Sequence, residues 1–207
     1  MSHSVLVTEQ LHLATLACIS RFGVAKTTIE DVAAEAGLSR AAAYRACPGG
    51  KEALLASLFS REATQVVDAI TASVAEASDL PSALASAMST AARRLGSIEA
   101  LRFVLRYEPE LVLPHLSFGG LDHFLATVTA ALSPSLERFL GPAEARRTAE
   151  LCARMFVSHF GNPDPELRLS DLDHTRRLVE NFVLPSIQNF VLPTIQNCVL
   201  ATLPKGR

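Results

Sequence analysis

Apolar residues recur three and four positions apart along most of the chain, and no stretch alternates convincingly with period two, so the pattern predicts an all-α protein of about nine helices. Thr8 to Phe22 forms the first, with Leu13, Leu16, Ala17, Ser20 and Phe22 near one face, and Gly23 stops it. Between Thr28 and Leu54 the pattern breaks into two short amphipathic pieces. Thr28 caps the first, with Asp31 three residues on completing a capping box. Ile29, Val32, Ala33 and Ala36 then make one stripe, and Gly37 supplies a left-handed end. Ser39 caps the second piece, Arg40 to Cys47, before Pro48-Gly49-Gly50 breaks the chain. Ala33 and Gly37 are small enough for two helices to cross closely around a short turn. This is a helix-turn-helix pattern, and its second helix is the candidate DNA reader.

Further on, Lys51 to Ala77 reads as one long helix. Pro81 suits the first turn of a helix from Ser82 to about Leu95, interrupted at Gly96 and Ser97. Ile98 to Tyr107 is a short helix ending near Pro109, and Leu111 to Gly120 is a loop or a broken helix. Leu121 to Leu140 follows, disturbed at Pro134, then Ala143 to Phe160, a loop at 161–165, and a helix capped by Ser170 or Asp171 that runs to about Leu184.

The C-terminal stretch repeats one unit three times: NFVLPSIQ (181–188), NFVLPTIQ (189–196) and NCVLATLP (197–204). It carries no charge, but Pro185, Pro193 and its Asn and Gln residues argue against stable membrane insertion. Interior prolines predict kinks or breaks. An eight-residue period rotates the stripe by about 80° per copy, so no single apolar face persists. A duplicated helix end packed on the body, an arm swapped between copies, or a lipid-surface contact are the readings this leaves.

The composition is 49% apolar and 19% charged, that of a globular protein. The net charge of −2 carries no global nucleic-acid signal, and the first 61 residues hold six Lys and Arg against five acids. DNA affinity must then come from where charges point. Cys18, Cys47, Cys152 and Cys198 are widely spaced, without metal-ligand spacing, and fit buried reduced thiols. No leader pattern opens the sequence, so a cytoplasmic protein is expected. No glycine-rich phosphate loop, GxSxG or paired Cys/His organises a catalytic site, so no enzyme activity, cofactor or metal is expected.

From Phe22 to Leu54 the residues Phe22-Gly23, Thr28-Ile29-Glu30-Asp31-Val32-Ala33, Ala36-Gly37-Leu38-Ser39, Tyr44-Arg45 and Lys51-Glu52-Ala53-Leu54 resemble the tetracycline-repressor (TetR) family of bacterial transcription regulators. The resemblance covers about the first quarter of the chain. The chain departs from the family where position 43 is Ala rather than bulky, and where Ala46-Cys47 replaces larger residues. The head therefore loses apolar volume where its third helix packs, which other helices must supply if the head is not to be loose.

The resemblance implies a dimer binding double-stranded DNA. Thr28 would lie at a phosphate, with Lys26 or Thr27 beside it; Ser39 would cap and reach the backbone; and Arg40 would read a guanine. Ala41 and Ala42 would touch a thymine methyl or allow close approach, Tyr44 and Arg45 would meet phosphate or base, and Lys51 would hold the backbone. The expected organisation is a helix-turn-helix head at 1–52, a ligand-binding and dimerisation body at 53–184 and an apolar repeat tail at 185–207. The homodimer would form through 143–160 and 171–184. A small lipophilic effector would be lined by Phe103, Tyr107, Leu113, Phe118, Phe124, Val128, Phe156 and Phe160. The function expected is a ligand-responsive regulator, a repressor released by that effector. The alternatives are an interaction or membrane-surface module using the C-terminal repeat, and an unrecognised helical enzyme.

Overall fold

A computed structural model describes residues 3–111, 118–161 and 167–187. Among them the elements are helical throughout: α1 (His3–Lys26), α2 (Ile29–Glu35), α3 (Arg40–Ala46), α4 (Gly50–Ala75), α5 (Leu80–Ser97), α6 (Glu99–Tyr107), a 3₁₀ turn at Pro109–Leu111, α7 (Phe118–Leu136), α8 (Pro142–Gly161) and α9 (Leu172–Leu178). No strand occurs among the described residues, and none of their helices is long and apolar enough to cross a membrane. Most of the C-terminal repeat, and with it Cys198, lies outside the described residues.

The chain forms two compact units, Met1–Asp68 with Arg93–Phe124, and Ala69–Ala92 with Leu125–Arg207. Their limits fall inside α4, α5 and α7. In the first unit, Ala100 and Val104 of α6 pack with Ile19 of α1 and Leu58 of α4.

Within the first unit a second cluster holds the head together: Leu11, Ala14 and Cys18 of α1, Ile29, Val32 and Ala33 of α2, Ala43 of α3, Cys47, and Leu54 of α4. The small residues at 43 and 47 are themselves buried, with Val7, Ala36, Leu38 and Ala46 packed around them. Leu11 and Leu54, both fully buried, supply much of the volume that α3 does not; truncating such a leucine typically costs about 2–5 kcal/mol. The buried face of α1 is not the one expected. Leu13 and Phe22 are exposed and Leu16 packs half-buried beside Ile19, while Leu11, Ala14 and Cys18 face the head and Ile19 faces α4 and α6. A helix enclosed from several sides does not show which apolar stripe is deepest.

Local signals explain the short helices. Thr28 and Asp31 form the complete capping box of α2. At its other end Gly37 takes φ 66, and the Leu38 N–H donates to Ala33 O at 2.8 Å, closing the helix with a left-handed residue. Ser39 Oγ accepts from Ala42 N, capping α3. Gly23 ends the regular part of α1 as expected: with φ 81 and ψ 169 it is non-helical and kinks the chain, and one further turn runs on to Lys26.

In the second unit α5 buries Ala83, Ala85, Ala91 and Ala92 beside Leu84 and Met88, small residues that allow close helix approach. Gly96, expected to interrupt, stays inside α5. Asp171 caps α9, which continues through a π turn at Val179–Val183 and on to residue 187. It therefore passes Pro185, where a kink or a break was expected, by a distortion of the helix rather than a break. The widened turn, with Leu184 N–H reaching Val179 O, lies just before the proline and relieves the crowding its ring would cause in a regular α-helix.

Candidate nucleic-acid interface

Two short helices at a fixed crossing present one surface. α3 buries Ala43, with Cys47 beyond its end, and exposes Arg40, Ala41, Tyr44 and Arg45, which lie at i, i+1, i+4 and i+5 and so form one stripe. Ala42 is half-buried at its edge, while Lys26, Thr28 and Ser39 are exposed. Most residues expected at DNA are thus brought to one small, solvent-facing head.

Their partners differ. The Thr28 hydroxyl donates to Asp31 Oδ2 at 2.6 Å and accepts from Asp31 N at 3.2 Å, so its capping role already occupies it. The same hydroxyl, with the Thr28 N–H, holds the Asp31 carboxyl below its ordinary pKa. Thr27 is buried, its hydroxyl donating to Gly23 O at 2.7 Å, so it serves the frame rather than the exposed surface. Lys51 is half-buried, and its ammonium donates to Val24 O at 2.5 Å and Ala25 O at 3.4 Å. That places its charge at the junction of α1 and α4.

Arg40 and Tyr44 share an acid. Glu30 Oε1 of α2 forms an ion pair with Arg40 Nη2 at 2.8 Å and accepts from the Tyr44 hydroxyl at 3.3 Å, and the Arg40 guanidinium lies 5.6 Å from the Tyr44 ring centre. Arg21 pairs similarly with Glu35 at 2.6 Å. Sequence reasoning gave Glu30 no part in the interface. Two residues 14 apart on different helices have no period to connect them.

A second acid meets the head from α6. Glu108, the residue after α6, accepts from the N–H groups of Val24 at 2.6 Å and Ala25 at 3.2 Å. These donors are freed by the Gly23 kink. A Cβ on Gly23 would come within 2.5 Å of the Glu108 carboxylate, so only glycine permits this seat. The kink thus has Glu108 on its donors and Lys51 on its acceptors.

The described residues expected to line an effector cavity belong to α6, α7 and α8. Phe103 and Tyr107 of α6 pair at 4.8 Å between ring centres, and Tyr107 is exposed. Phe156 and Phe160 of α8 stack at 5.2 Å and are half-buried. Val128 is half-buried and Phe124 exposed. Leu113 lies outside the described residues, and Phe118 is described only as the backbone start of α7. The thiols of Cys18, Cys47 and Cys152 are free and buried; burial raises all three, that of Cys152 to about 12. No group of three or more His, Cys, Asp or Glu residues suited to a metal occurs among the described residues.

Residues 13–58 match the family model of bacterial regulatory proteins of the tetR family. No protein of curated function matches the chain. Among solved structures, it is similar to the TetR family repressor AlkX of a Dietzia strain, implicated in biodegradation of n-alkanes, with 22% identity, TM-score 0.61, and 91% of this chain and 97% of that one covered. It is also similar to the fatty acid degradation regulator FadR from Bacillus halodurans, with 19% identity, TM-score 0.62, and 89% and 98% covered. A TetR-like regulator from a Rhodococcus species gives 17% identity, TM-score 0.57, and 91% and 98%.

Proposed function

We propose, for a chain whose N-terminal head is of the tetR family and whose fold is that of TetR-family regulators, the role of a transcriptional repressor that binds a palindromic operator as a homodimer and is released by a small lipophilic molecule. The observation that carries it is the head itself. A short, capped α3 buries its small residues and turns Arg40, Ala41, Tyr44 and Arg45 outward on a scaffold fixed by α1, α2 and α4. In this reading α3 enters the major groove. Arg40 contacts a guanine, Ala41 and Ala42 allow close approach, and Lys26, Thr28, Ser39, Tyr44 and Arg45 serve the backbone. Lys51 acts mainly by holding the α1–α4 junction, and Thr27 by closing the kink.

So few base-reading groups favour a dimer, with two heads in successive major grooves about 34 Å apart. The subunits pair through α8 and α9, where Phe182 stands exposed just past α9. Release follows from linkage: a ligand that prefers the conformation unable to span the operator lowers DNA affinity, and DNA lowers ligand affinity by the same factor. The carboxylate of Glu108 ties the end of α6 to the α1 kink, and so gives α6 as well as α4 a hold on the head. The effector is read as lipophilic from the aliphatic and phenylalanine content of the body. Similarly folded proteins that regulate alkane and fatty-acid degradation make n-alkanes and fatty acids the first probes.

The test is enrichment of duplexes from random DNA, followed by titration of the selected duplex with and without a panel of alkanes and fatty acids. A two-fold symmetric consensus, bound by a dimer and weakened by one class of probe, is expected. Absence of any enriched sequence overturns the reading. Phe182→Arg should yield monomers in sedimentation and lose the palindrome while keeping the head folded.

A further inference from the structure

Glu30 is an acid on the side of the head proposed to face DNA, where its charge is repelled by phosphate. Its place is explained by what it holds. One carboxylate oxygen, Oε1, forms an ion pair with Arg40 Nη2 and accepts a hydrogen bond from the Tyr44 hydroxyl, while the guanidinium lies over the Tyr44 ring. The Arg40 side chain is otherwise 70% exposed, and a long cation in water has many rotamers. Glu30 is itself anchored, in the first turn of a helix whose capping box is complete and whose N-terminal dipole favours an acid.

We propose that Glu30 is a positioning residue for base reading: it orients Arg40 for a guanine edge, and so contributes sequence discrimination without touching DNA. The inference rests on the base-reading role of Arg40 proposed above. The geometry permits it, because the ion pair with Glu30 is made at Nη2 alone and leaves guanidinium N–H groups for the two acceptors of a guanine. Tyr44 behaves differently. Its single proton points to Glu30 in the free head, so donating to a phosphate requires the hydroxyl to let Glu30 go. On DNA the Arg40 pair persists and the Tyr44 bond is exchanged.

This arrangement has an unusual signature: loss of Glu30 should raise affinity for any DNA yet lower the preference for the right one. The test uses full-length protein and two duplexes, one enriched from random DNA by the wild type and the other its shuffled sequence. Glu30→Gln and Glu30→Ala should tighten binding to the shuffled duplex a few-fold at low salt, since one repelled charge is gone. The ratio of selected to shuffled affinity should fall about tenfold, close to the loss for Arg40→Ala. The double variant Glu30→Ala/Arg40→Ala should fall no further than Arg40→Ala alone, a non-additivity that a merely structural role would not produce. Circular dichroism should show unchanged helix content. An unchanged ratio in both Glu30 variants, or a double variant whose loss is the product of the two single losses, overturns the proposal while leaving Arg40 as reader. If Arg40→Ala itself keeps the full ratio, base reading by Arg40 fails, and the role of Glu30 fails with it.

Discussion

The two compact units use their polar side chains differently. In the first, bonds join elements far apart in the chain: Glu108 to the α1 kink, Lys51 to the same kink, Arg61 to Glu9, His12 to Ser57, and Glu30 to Arg40 and Tyr44. Among the described residues of the second, several bonds stay local. Asp79 accepts from Ser82 N, Asp171 caps α9, Thr175 donates to Leu169 O and Asp171 O, and Arg154 pairs with Glu150 one turn away. Arg138, which donates to Ala75 O and Ala77 O, is the counterexample. In the proposed role, a surface that must fit a rigid duplex needs its helices in one arrangement. Directional bonds between helices specify that arrangement, while apolar burial rewards many.

If this contrast is right, the largest effect should come from the α1 kink. Gly23→Ala meets both a positive φ and the Glu108 carboxylate, and should cost the first unit about 2–3 kcal/mol. Native-state hydrogen exchange should show faster opening of α1 to α3 with α8 and α9 unchanged; equal loss in α8 would break the comparison. Glu108→Ala should cost about 2 kcal/mol by leaving two backbone donors without their charged acceptor. Combined with Gly23→Ala it should add little, as both remove one interaction. Thr175→Val, a local bond in the second unit, should cost about 1 kcal/mol in urea unfolding and leave exchange in α1 to α3 untouched. The smallest effect belongs to the exposed Glu150–Arg154 pair, where Arg154→Ala should change stability by no more than about 0.5 kcal/mol.

A pH dependence sharpens the same contrast. Ser57 donates to Leu54 O, so its oxygen accepts from His12 Nε2–H, and His12 Nδ1 is left buried without a partner. Burial first, then the charge of Arg61, holds His12 below 6.5, against the opposite pull of Glu9 and Glu62. With the folded value below the unfolded one, the neutral ring's contribution is complete above 6.5 and is lost as pH falls from 6.5 through the folded value. Stability of the first unit should decline over that window, measured by urea unfolding from about pH 8 to pH 5. A His12→Gln variant showing the same decline would assign it to another group.

The sequence by itself determined the helices and their ends. Thr28 with Asp31, Gly37, Ser39 and Asp171 act within one turn of their own position, so their effect is written locally. The same locality made the helix-turn-helix and its exposed stripe legible, and placed Arg40, Tyr44 and Arg45 in the candidate interface before any packing was known. Where the local rule competed with packing it misjudged the outcome. Gly96 stays inside α5 rather than interrupting it, and a π turn carries the final helix past Pro185. Tertiary structure alone decided which face of α1 is buried, that small residues at 43 and 47 sit among Leu11 and Leu54, and that Thr27 and Lys51 serve the frame. It also decided that Glu30 meets Arg40. Such contacts join residues with no fixed spacing, and their free energy depends on how helices converge, which no periodicity along one chain records.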